Sequence, residues 1–304
     1  MDISIVIVNW NTAELLDNCL ASIVRTVHGM RYEIIVVDNA SSDGSVAMLR
    51  EHHPYVRVIE NAENRGFGAA NNQAFAVMKG RYALLLNTDA VLTADAVYEL
   101  FSFMETHATV GMAGGQLLNR DGSKQNSIAH IPTLLTLLAN TSLLEYLWPT
   151  RFPSKRYEHR EPIEVESVIG ACMLVRKEAM DAVGIFDERY FFFFEETDWA
   201  YQMKAGGWHV YHVPTARIYH LQGQSIGKNV RSRMEFYRSR YAFFRKWKNA
   251  PYNRAVTGII IVRLAANWLL TLIGTTGTLF LHRSLRDQLS VYTRLFLWHL
   301  KGCP

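Results

Sequence analysis

Three cysteines are all that the chain contains, Cys19, Cys172 and Cys303, far apart and without metal-type spacing. That excludes a disulfide framework and argues against structural zinc; the thiols are expected to be buried or incidental in a reducing cytoplasm. No secretory leader is expected either: Met1-Asp2 is not basic, and the apolar run from Ile3 to Val8 is too short for a signal core. No repeat or low-complexity stretch appears. The first strand does not run into G-x-G-x-x-G but into Asn9-Trp10-Asn11, which argues against a dinucleotide-binding fold. Gly66-Phe67-Gly68 is a lone G-x-G at a helix start. It reads either as turn chemistry or as a backbone-amide site near a diphosphate, with Arg65 supplying charge.

What is present describes a folded protein: 304 residues, 49% apolar and 20% charged, enough for one or two domains. The net charge of +4 conceals a division. Residues 228–304 carry 14 Lys and Arg against 2 Asp and Glu, a net +12, while residues 1–227 carry 18 against 26, a net −8. An acidic body with a basic tail points to a tail that meets an anionic surface.

The body alternates strand and helix patterns. Strands are predicted at Ser4–Asn9, Glu33–Asp38, Val56–Glu60 and Tyr82–Asn87. Helices are predicted from a Thr12 cap to about Val27, from Ser42 or Asp43 to about His52, and over Phe67–Lys79 and Ala94–His107. Such alternation predicts an α/β, Rossmann-like, mainly parallel sheet with right-handed crossovers. Pro132 to Pro162 reads as an irregular loop over a cleft, Val165–Val175 as a strand, and Trp208–Val213 and Ala216–His220 as two short strands. The fourth strand, with its unalternating Leu84-Leu85-Leu86, ends on Asn87-Thr88-Asp89. An acid at the carboxyl end of a buried strand sits where open α/β sheets bind ligands, and a hard divalent cation there takes a carboxylate plus substrate phosphates. The other reading of Asp89 is a helix cap, since Thr93 and Asp95 lie near the next helix.

Taken in order, eight segments resemble family-2 glycosyltransferases of the GT-A fold, in particular their rhamnosyltransferase-like branch. They are Ser4–Asn11, Val36–Ser45, Asn64–Gly68 with Asn71 and Asn72, Leu86–Asp89, Gly170–Arg176, Gly184–Glu188, Phe194–Trp199 and His220–Ser225. The resemblance covers roughly residues 3–227, implying a catalytic domain over 1–227 and a helical membrane-associating region over 228–304. Two departures stand out. The D-x-D element keeps only its last acid, Asp89, the one expected on the metal, and the Glu-Asp pair reads Glu195-Glu196.

The resemblance implies an inverting, metal-dependent hexosyltransferase that moves rhamnose or another hexose from a dTDP-, UDP- or GDP-sugar. Val8, Asn9, Asn11, Asp38, Asn39, Arg65, Gly66, Asn71, Asn87 and Thr88 are then expected around the nucleotide sugar, with Asp89 and His220 on Mg²⁺ or Mn²⁺. Turn chemistry is the lesser alternative reading of Asn9, Asn11, Asp38 and Asn39, and His220 reads as well as an ordinary satisfied histidine. Arg231 and Lys228 are further diphosphate candidates. Glu196 follows the aromatic run Phe191–Phe194, whose apolar setting would raise a carboxyl pKa into the range of a general base. Glu195 is the alternative base, and Asp198 is expected to orient the site or cap its helix.

The tail mixes cations and aromatics at helical spacing from Arg231 to Lys248, as in an amphipathic helix lying in a membrane interface. Val256–Leu281 is apolar but contains Arg263 and Asn267, which favours an interfacial or re-entrant hairpin over a span. No nucleic-acid recognition module accompanies the basic residues. The expectation is a peripheral or monotopic enzyme on the cytoplasmic face of the inner membrane, acting on a lipid-linked saccharide in bacterial surface polysaccharide synthesis. Two other classes compete. A sugar-nucleotide pyrophosphorylase would need a Gly- and basic-rich loop after the first strand, which is missing; a catalytically degenerate membrane-docked scaffold would tolerate both motif departures.

Overall fold

The computed structural model describes residues 1–221 and 230–303. Its strands are β1 (Ile3–Asn9), β2 (Tyr32–Asp38), β3 (Arg57–Glu60), β4 (Tyr82–Leu86), β5 (Ala90–Leu92), β6 (Val110–Leu118), β7 (Ile128–Ala129), β8 (Ile163–Glu164), β9 (Ser167–Val168), β10 (Cys172–Arg176) and β11 (His209–His220). Its helices are α1 (Ala13–Thr26), α2 (Ser45–His52), α3 (Phe67–Phe75), α4 (Ala96–Thr106), α5 (Leu134–Leu138), α6 (Thr141–Leu147), α7 (Lys177–Val183), α8 (Glu195–Ala205), α9 (Val230–Trp247), α10 (Ala250–Gly277) and α11 (Arg283–Leu300). Two compact units result. One gathers Met1–Ile131 and the chain from Trp148 through β11; the other gathers Pro132–Leu147 and helices α9 to α11.

In the first unit a nine-stranded, mainly parallel sheet runs β3-β2-β1-β4-β10-β6-β11-β5, with β8 also on β11. β1 lies parallel to β2 and β4, whereas β10 is antiparallel to both β4 and β6. The early strands have no polar face because both faces are covered. Ile3, Ile5, Ile7 and Leu84 pack with Leu16, Leu20 and Ile23 of α1 on one side. Val6, Ile35, Val37 and Leu85 pack with Ala70 and Ala74 of α3 and Trp199 and Met203 of α8 on the other. Trp199 is fully enclosed, 4.4 Å from Phe186 and 5.6 Å from Phe75 between ring centres, and donates its Nε1–H to Gly184 O. Truncating such a residue to Ala costs about 3–5 kcal/mol.

Several boundaries differ from expectation. α3 stops at Phe75 rather than Lys79, because the Lys79 backbone N–H leaves the helix for Glu33 Oε1 and Ser4 Oγ. Val165–Val175 is two strands, β9 and β10, interrupted by Ile169–Ala171. The two segments around Pro214 form one strand, β11, whose register against β6 breaks between Val213 and Arg217, where proline cannot donate to the ladder. Thr12 precedes α1 but does not cap it; its hydroxyl is spent elsewhere.

In the second unit the stretch read as loop holds α5 and α6. Thr133 caps α5 through a reciprocal bond with Thr136. The α5 backbone is tied to α10, since Tyr252 Oη accepts from Leu134 N and the Arg263 guanidinium donates to Leu137 O. The apolar stretch predicted at 256–281 lies largely in α10, a 28-residue helix with mean hydropathy 1.9 over its most apolar window; by length and composition it could cross a membrane. It folds back against α11, where Trp268 Nε1 donates to Thr293 Oγ1 and Trp268 stacks on Phe296.

Candidate active site

The carboxyl ends of β1, β2 and β4 converge because the three strands are parallel neighbours. Asn9 and Asp38 pair directly in register, and Asn9 Nδ2 donates to Asp38 Oδ1 at 2.7 Å and to Ser41 Oγ at 3.0 Å. Asp38 Oδ2 accepts from Ser41 N, and Asn11 Oδ1 from Ser42 N, so the turn chemistry expected of these residues is present. Asn11 and Ala40 have φ of 54° and 60°, left-handed values that bend both loops over the sheet edge. The Thr12 hydroxyl donates toward Asn9 Oδ1 and Thr88 Oγ1, at 2.8 and 2.9 Å. This residue, read from sequence as a cap, links the loop after β1 to the loop after β4.

Asn39 Nδ2 donates to Gly66 O at 3.1 Å, extending the cluster to the G-x-G loop. Gly66 has φ +82°, and a Cβ there would stand 2.4 Å from Phe191 O, so glycine is required twice over. Phe67 N donates to that same Phe191 carbonyl, which pins the loop to the aromatic run. Arg65 is exposed on this loop, and Val8 is half-buried at the end of β1. Asn71 turns inward instead, its Nδ2 bonded to Phe67 O within α3.

The aromatic run ends in two residues at positive φ, Phe193 at 69° and Phe194 at 73°. Bulky side chains there cost about 1–2 kcal/mol each and persist only where the surroundings impose them. They launch α8 with Glu195 and Glu196 in its first turn. Glu195 is 3% exposed, with its Cγ 3.6 Å from where a Cβ on Gly68 would stand. Glu196 is half-buried, its stem 3.8 Å from the corresponding position on Gly170. Burial raises the Glu196 carboxyl from its ordinary 4.5 to about 6, against the opposing pull of the backbone N–H groups of Glu196 and Thr197. Asp198 is occupied in the interior: Tyr190 Oη donates to its Oδ1 and Gln202 Nε2 to its Oδ2.

Asp89 and Glu196 approach one end of the sheet through β10. Leu86 of β4 pairs with Cys172 of β10, and Asn87 N donates to Ala171 O. Gly170, the next residue back, carries the Glu196 stem. Asp89 is 2% exposed, and its Oδ1 has no hydrogen-bond partner among the described residues. His220 Nε2 stands 3.4 Å from that oxygen, brought there by pairing of the end of β11 with β5, His220 opposite Ala90. Gln125 fixes the imidazole. Its Nε2 donates to His220 O at 2.6 Å and Asn119 Oδ1 at 2.8 Å, so its Oε1 faces His220 Nδ1 at 3.0 Å. Gln125 Oε1 thus calls for a hydrogen on Nδ1, and in the neutral tautomer that satisfies it the Nε2 lone pair points toward Asp89.

With the ring neutral, Nε2 and a buried carboxylate oxygen without a hydrogen-bond donor face across 3.4 Å, a pair that a cation would satisfy. One carboxylate and one imidazole with substrate phosphates suit a divalent ion at a diphosphate. Among the described residues no group of three or more His, Cys, Asp or Glu side chains forms a cage, so any ion here leans on ligands from the substrate. Arg231 lies exposed on α9 of the second unit, and Lys228 falls outside the described residues. Sequence reading missed Thr12, Gly170 and Gln125. Gln125 is 95 positions from His220 and sits in no motif, so only the pairing of distant strands reveals it.

Residues 4–184 match glycosyl transferase family 2. The chain is 28% identical over 280 residues to the N-acetylglucosaminyl-diphospho-decaprenol L-rhamnosyltransferase of Mycobacterium tuberculosis, covering 85% of this chain and 90% of that protein. It is 26% identical over 210 residues to the low-salt glycan biosynthesis hexosyltransferase Agl10 of Haloferax volcanii, covering 67% and 62%. Among solved structures it resembles the mannosyltransferase PcManGT from Pyrobaculum calidifontis in complex with GDP-Man and Mn²⁺. The TM-score is 0.61 at 17% identity, over 98% of this chain and 87% of that one. GalNAc-T7 with UDP, GalNAc and Mn²⁺ follows, with a TM-score of 0.56 at 16% identity over 78% and 47%. The fold is thus GT-A, and the chain belongs to glycosyl transferase family 2, as a rhamnosyltransferase-like glycosyltransferase.

Proposed function

We propose an inverting, divalent-metal-dependent hexosyltransferase that moves rhamnose or a related hexose from a nucleoside-diphosphate sugar to a lipid-linked saccharide. The observation that carries this reading is the facing pair Asp89 Oδ1 and His220 Nε2, with the raised Glu196 carboxyl packed by its stem against Gly170. Asp89 and His220 would hold Mg²⁺ or Mn²⁺, which when bound supplies charge neutralisation for the departing diphosphate. Asn9, Asn11, Asp38, Asn39 and Thr88 shape the nucleotide pocket, and the Gly66 loop with Arg65 and Asn87 lies on the diphosphate side. Glu196 accepts the proton of the acceptor hydroxyl: it is half-buried and so reachable, whereas Glu195 is enclosed against Gly68 and shapes the site. A carboxyl raised to about 6 is mostly ionised at neutral pH and basic enough to take that proton. One base and one displacement invert the anomeric centre. Asp198 is a positioning residue that anchors α8 through Tyr190.

The chain's rhamnosyltransferase relative is named for a diphospho-decaprenol substrate, and the second unit has the composition to meet such a substrate at an anionic membrane surface. We assign residues 228–304, together with Pro132–Leu147, to that role at the cytoplasmic face of the inner membrane, with α10 interfacial rather than spanning because Arg263 lies within it. The donor half of the proposal is tested by calorimetric titration of dTDP-rhamnose, UDP-glucose and GDP-mannose with and without Mn²⁺. Binding of one donor that strengthens with Mn²⁺ in the native protein but not in Asp89→Asn is expected. Metal-independent binding of equal strength in both would remove the metal from the mechanism.

A further inference from the structure

The turn between α10 and α11 breaks two local rules at once. Leu279 and Leu281 are 77% and 81% exposed, with Phe280 half-exposed between them. Leu279 and Phe280 also hold left-handed φ values of 50° and 59°, where Gly or Asn would sit with less strain. The tip is nevertheless well formed. Leu279 N donates to Thr276 O, Phe280 N to Thr275 O and Leu281 N to Thr278 O, all at 2.9 Å. Just behind it, Leu285 packs 3.6 Å from the position of a Cβ on Gly274, closing the hairpin tightly. Leu269, Leu270 and Ile273 on the adjoining stretch of α10 are exposed as well. A fixed turn that displays three large apolar side chains to water gains nothing from them within the chain.

Two residues past the tip the chemistry changes sign. A cavity of about 550 Å³ opens between α9 and α11, lined by Arg233, Arg283, Ser284, Gln288 and Tyr292, with Val291 and Asp287 completing it. Asp287 faces Arg283 at 3.9 Å, both side chains open to solvent, so one arginine charge is in excess. Guanidinium, hydroxyl and amide donors around a concave space are the groups that grip a phosphate. An apolar wedge with a cationic, donor-rich cavity at its base matches the order met on entering a bilayer from the acyl region outward.

We infer that the α10–α11 hairpin is a bilayer anchor. Leu279, Phe280 and Leu281 enter the acyl boundary, and the Arg233–Arg283 cavity takes the phosphodiester of an anionic phospholipid headgroup. The inference rests on the membrane contact proposed above and names the element that makes it. The full-length protein is sedimented with vesicles of phosphatidylcholine alone and of phosphatidylcholine with phosphatidylglycerol. Replacing Leu279, Phe280 and Leu281 together by Asn lowers partitioning to both vesicles by roughly 1,000-fold, as each apolar side chain left in water forfeits about tenfold. Arg233→Gln with Arg283→Gln lowers binding to the phosphatidylglycerol vesicles by roughly 30-fold and leaves the phosphatidylcholine value alone. All five positions are exposed or line an open cavity, and circular dichroism of each variant confirms the fold. Native-level binding by the tip variant, or a retained phosphatidylglycerol preference in the arginine variant, overturns the anchor while leaving membrane contact intact. Competition by free inorganic phosphate as strong as by phosphatidylglycerol makes the cavity a soluble-anion site and overturns the headgroup assignment. No sedimentation of the native protein with either vesicle ends the membrane contact itself.

Discussion

Gln125 is the residue whose replacement tests the metal pair most sharply without touching it. Its Oε1 faces His220 Nδ1, and in the proposed neutral tautomer with Nδ1 protonated the Nε2 lone pair faces Asp89. In Gln125→Met that acceptor is gone, and the neutral ring gains by moving its proton to Nε2 and donating to the Asp89 oxygen 3.4 Å away. A cation must then break a hydrogen bond to a charged, buried group, worth about 1.5–3 kcal/mol. At 1.4 kcal/mol per tenfold, Mn²⁺ affinity falls roughly 10- to 100-fold. The assay pairs Mn²⁺ titration with ¹⁵N correlation spectra of His220 in metal-free protein, which report the tautomer directly. The expected results are Nδ1–H in the native protein and Nε2–H in Gln125→Met. An Nε2–H ring in the native protein, or unchanged Mn²⁺ affinity in Gln125→Met, refutes the argument.

Four further outcomes follow from the same geometry. With Glu196 raised to about 6, turnover rises with pH through about 6 and levels off above 7, and Glu196→Gln abolishes that limb together with about 100-fold or more of the rate. The same shift destabilises the fold. A carboxyl that binds its proton more tightly when folded lowers stability as pH climbs from 4.5 to about 6, so Glu196→Gln melts higher than native above pH 6, by at most about 2 kcal/mol, and equally below pH 4. Gly66→Ala, facing both φ +82° and a 2.4 Å approach to Phe191 O, loses about 1–3 kcal/mol in denaturant unfolding and activity with it, because the aromatic run that leads into α8 and Glu196 shifts. Tyr190→Phe removes the donor to Asp198 Oδ1 and costs about 1 kcal/mol of stability with turnover nearly unchanged; a hundredfold loss of turnover would make Asp198 chemical rather than positioning.

β1, β2 and β4 were legible because each holds a short apolar run, and burial on both faces leaves no competing helix period. Asp89 stood out for the same reason, as an acid where the run ends. Elements set by distant contacts were not legible. α3 ends early because Lys79 N finds Glu33 on another strand, and β11 looked like two strands because Pro214 interrupts its ladder but not its path. α5 and α6, with five and seven residues, are too short to show a period, and the prolines around them read as loop. In the candidate site, residues could be named from the sequence as expectations, whereas their wiring could not. That Thr12 joins the β1 and β4 loops and that Gln125 orients His220 depends on strand order, which no local pattern encodes.

The central claim is sugar transfer with Glu196 as base and a divalent ion at Asp89 and His220. Its most direct test is release of nucleoside diphosphate from a panel of dTDP-, UDP- and GDP-sugars, with Mn²⁺ and a bacterial polyprenyl-diphosphate saccharide extract as acceptor. The account predicts release from one donor that requires both metal and lipid and disappears in Glu196→Gln. Release that persists undiminished in Glu196→Gln, or that proceeds as fast in the presence of chelator, contradicts it.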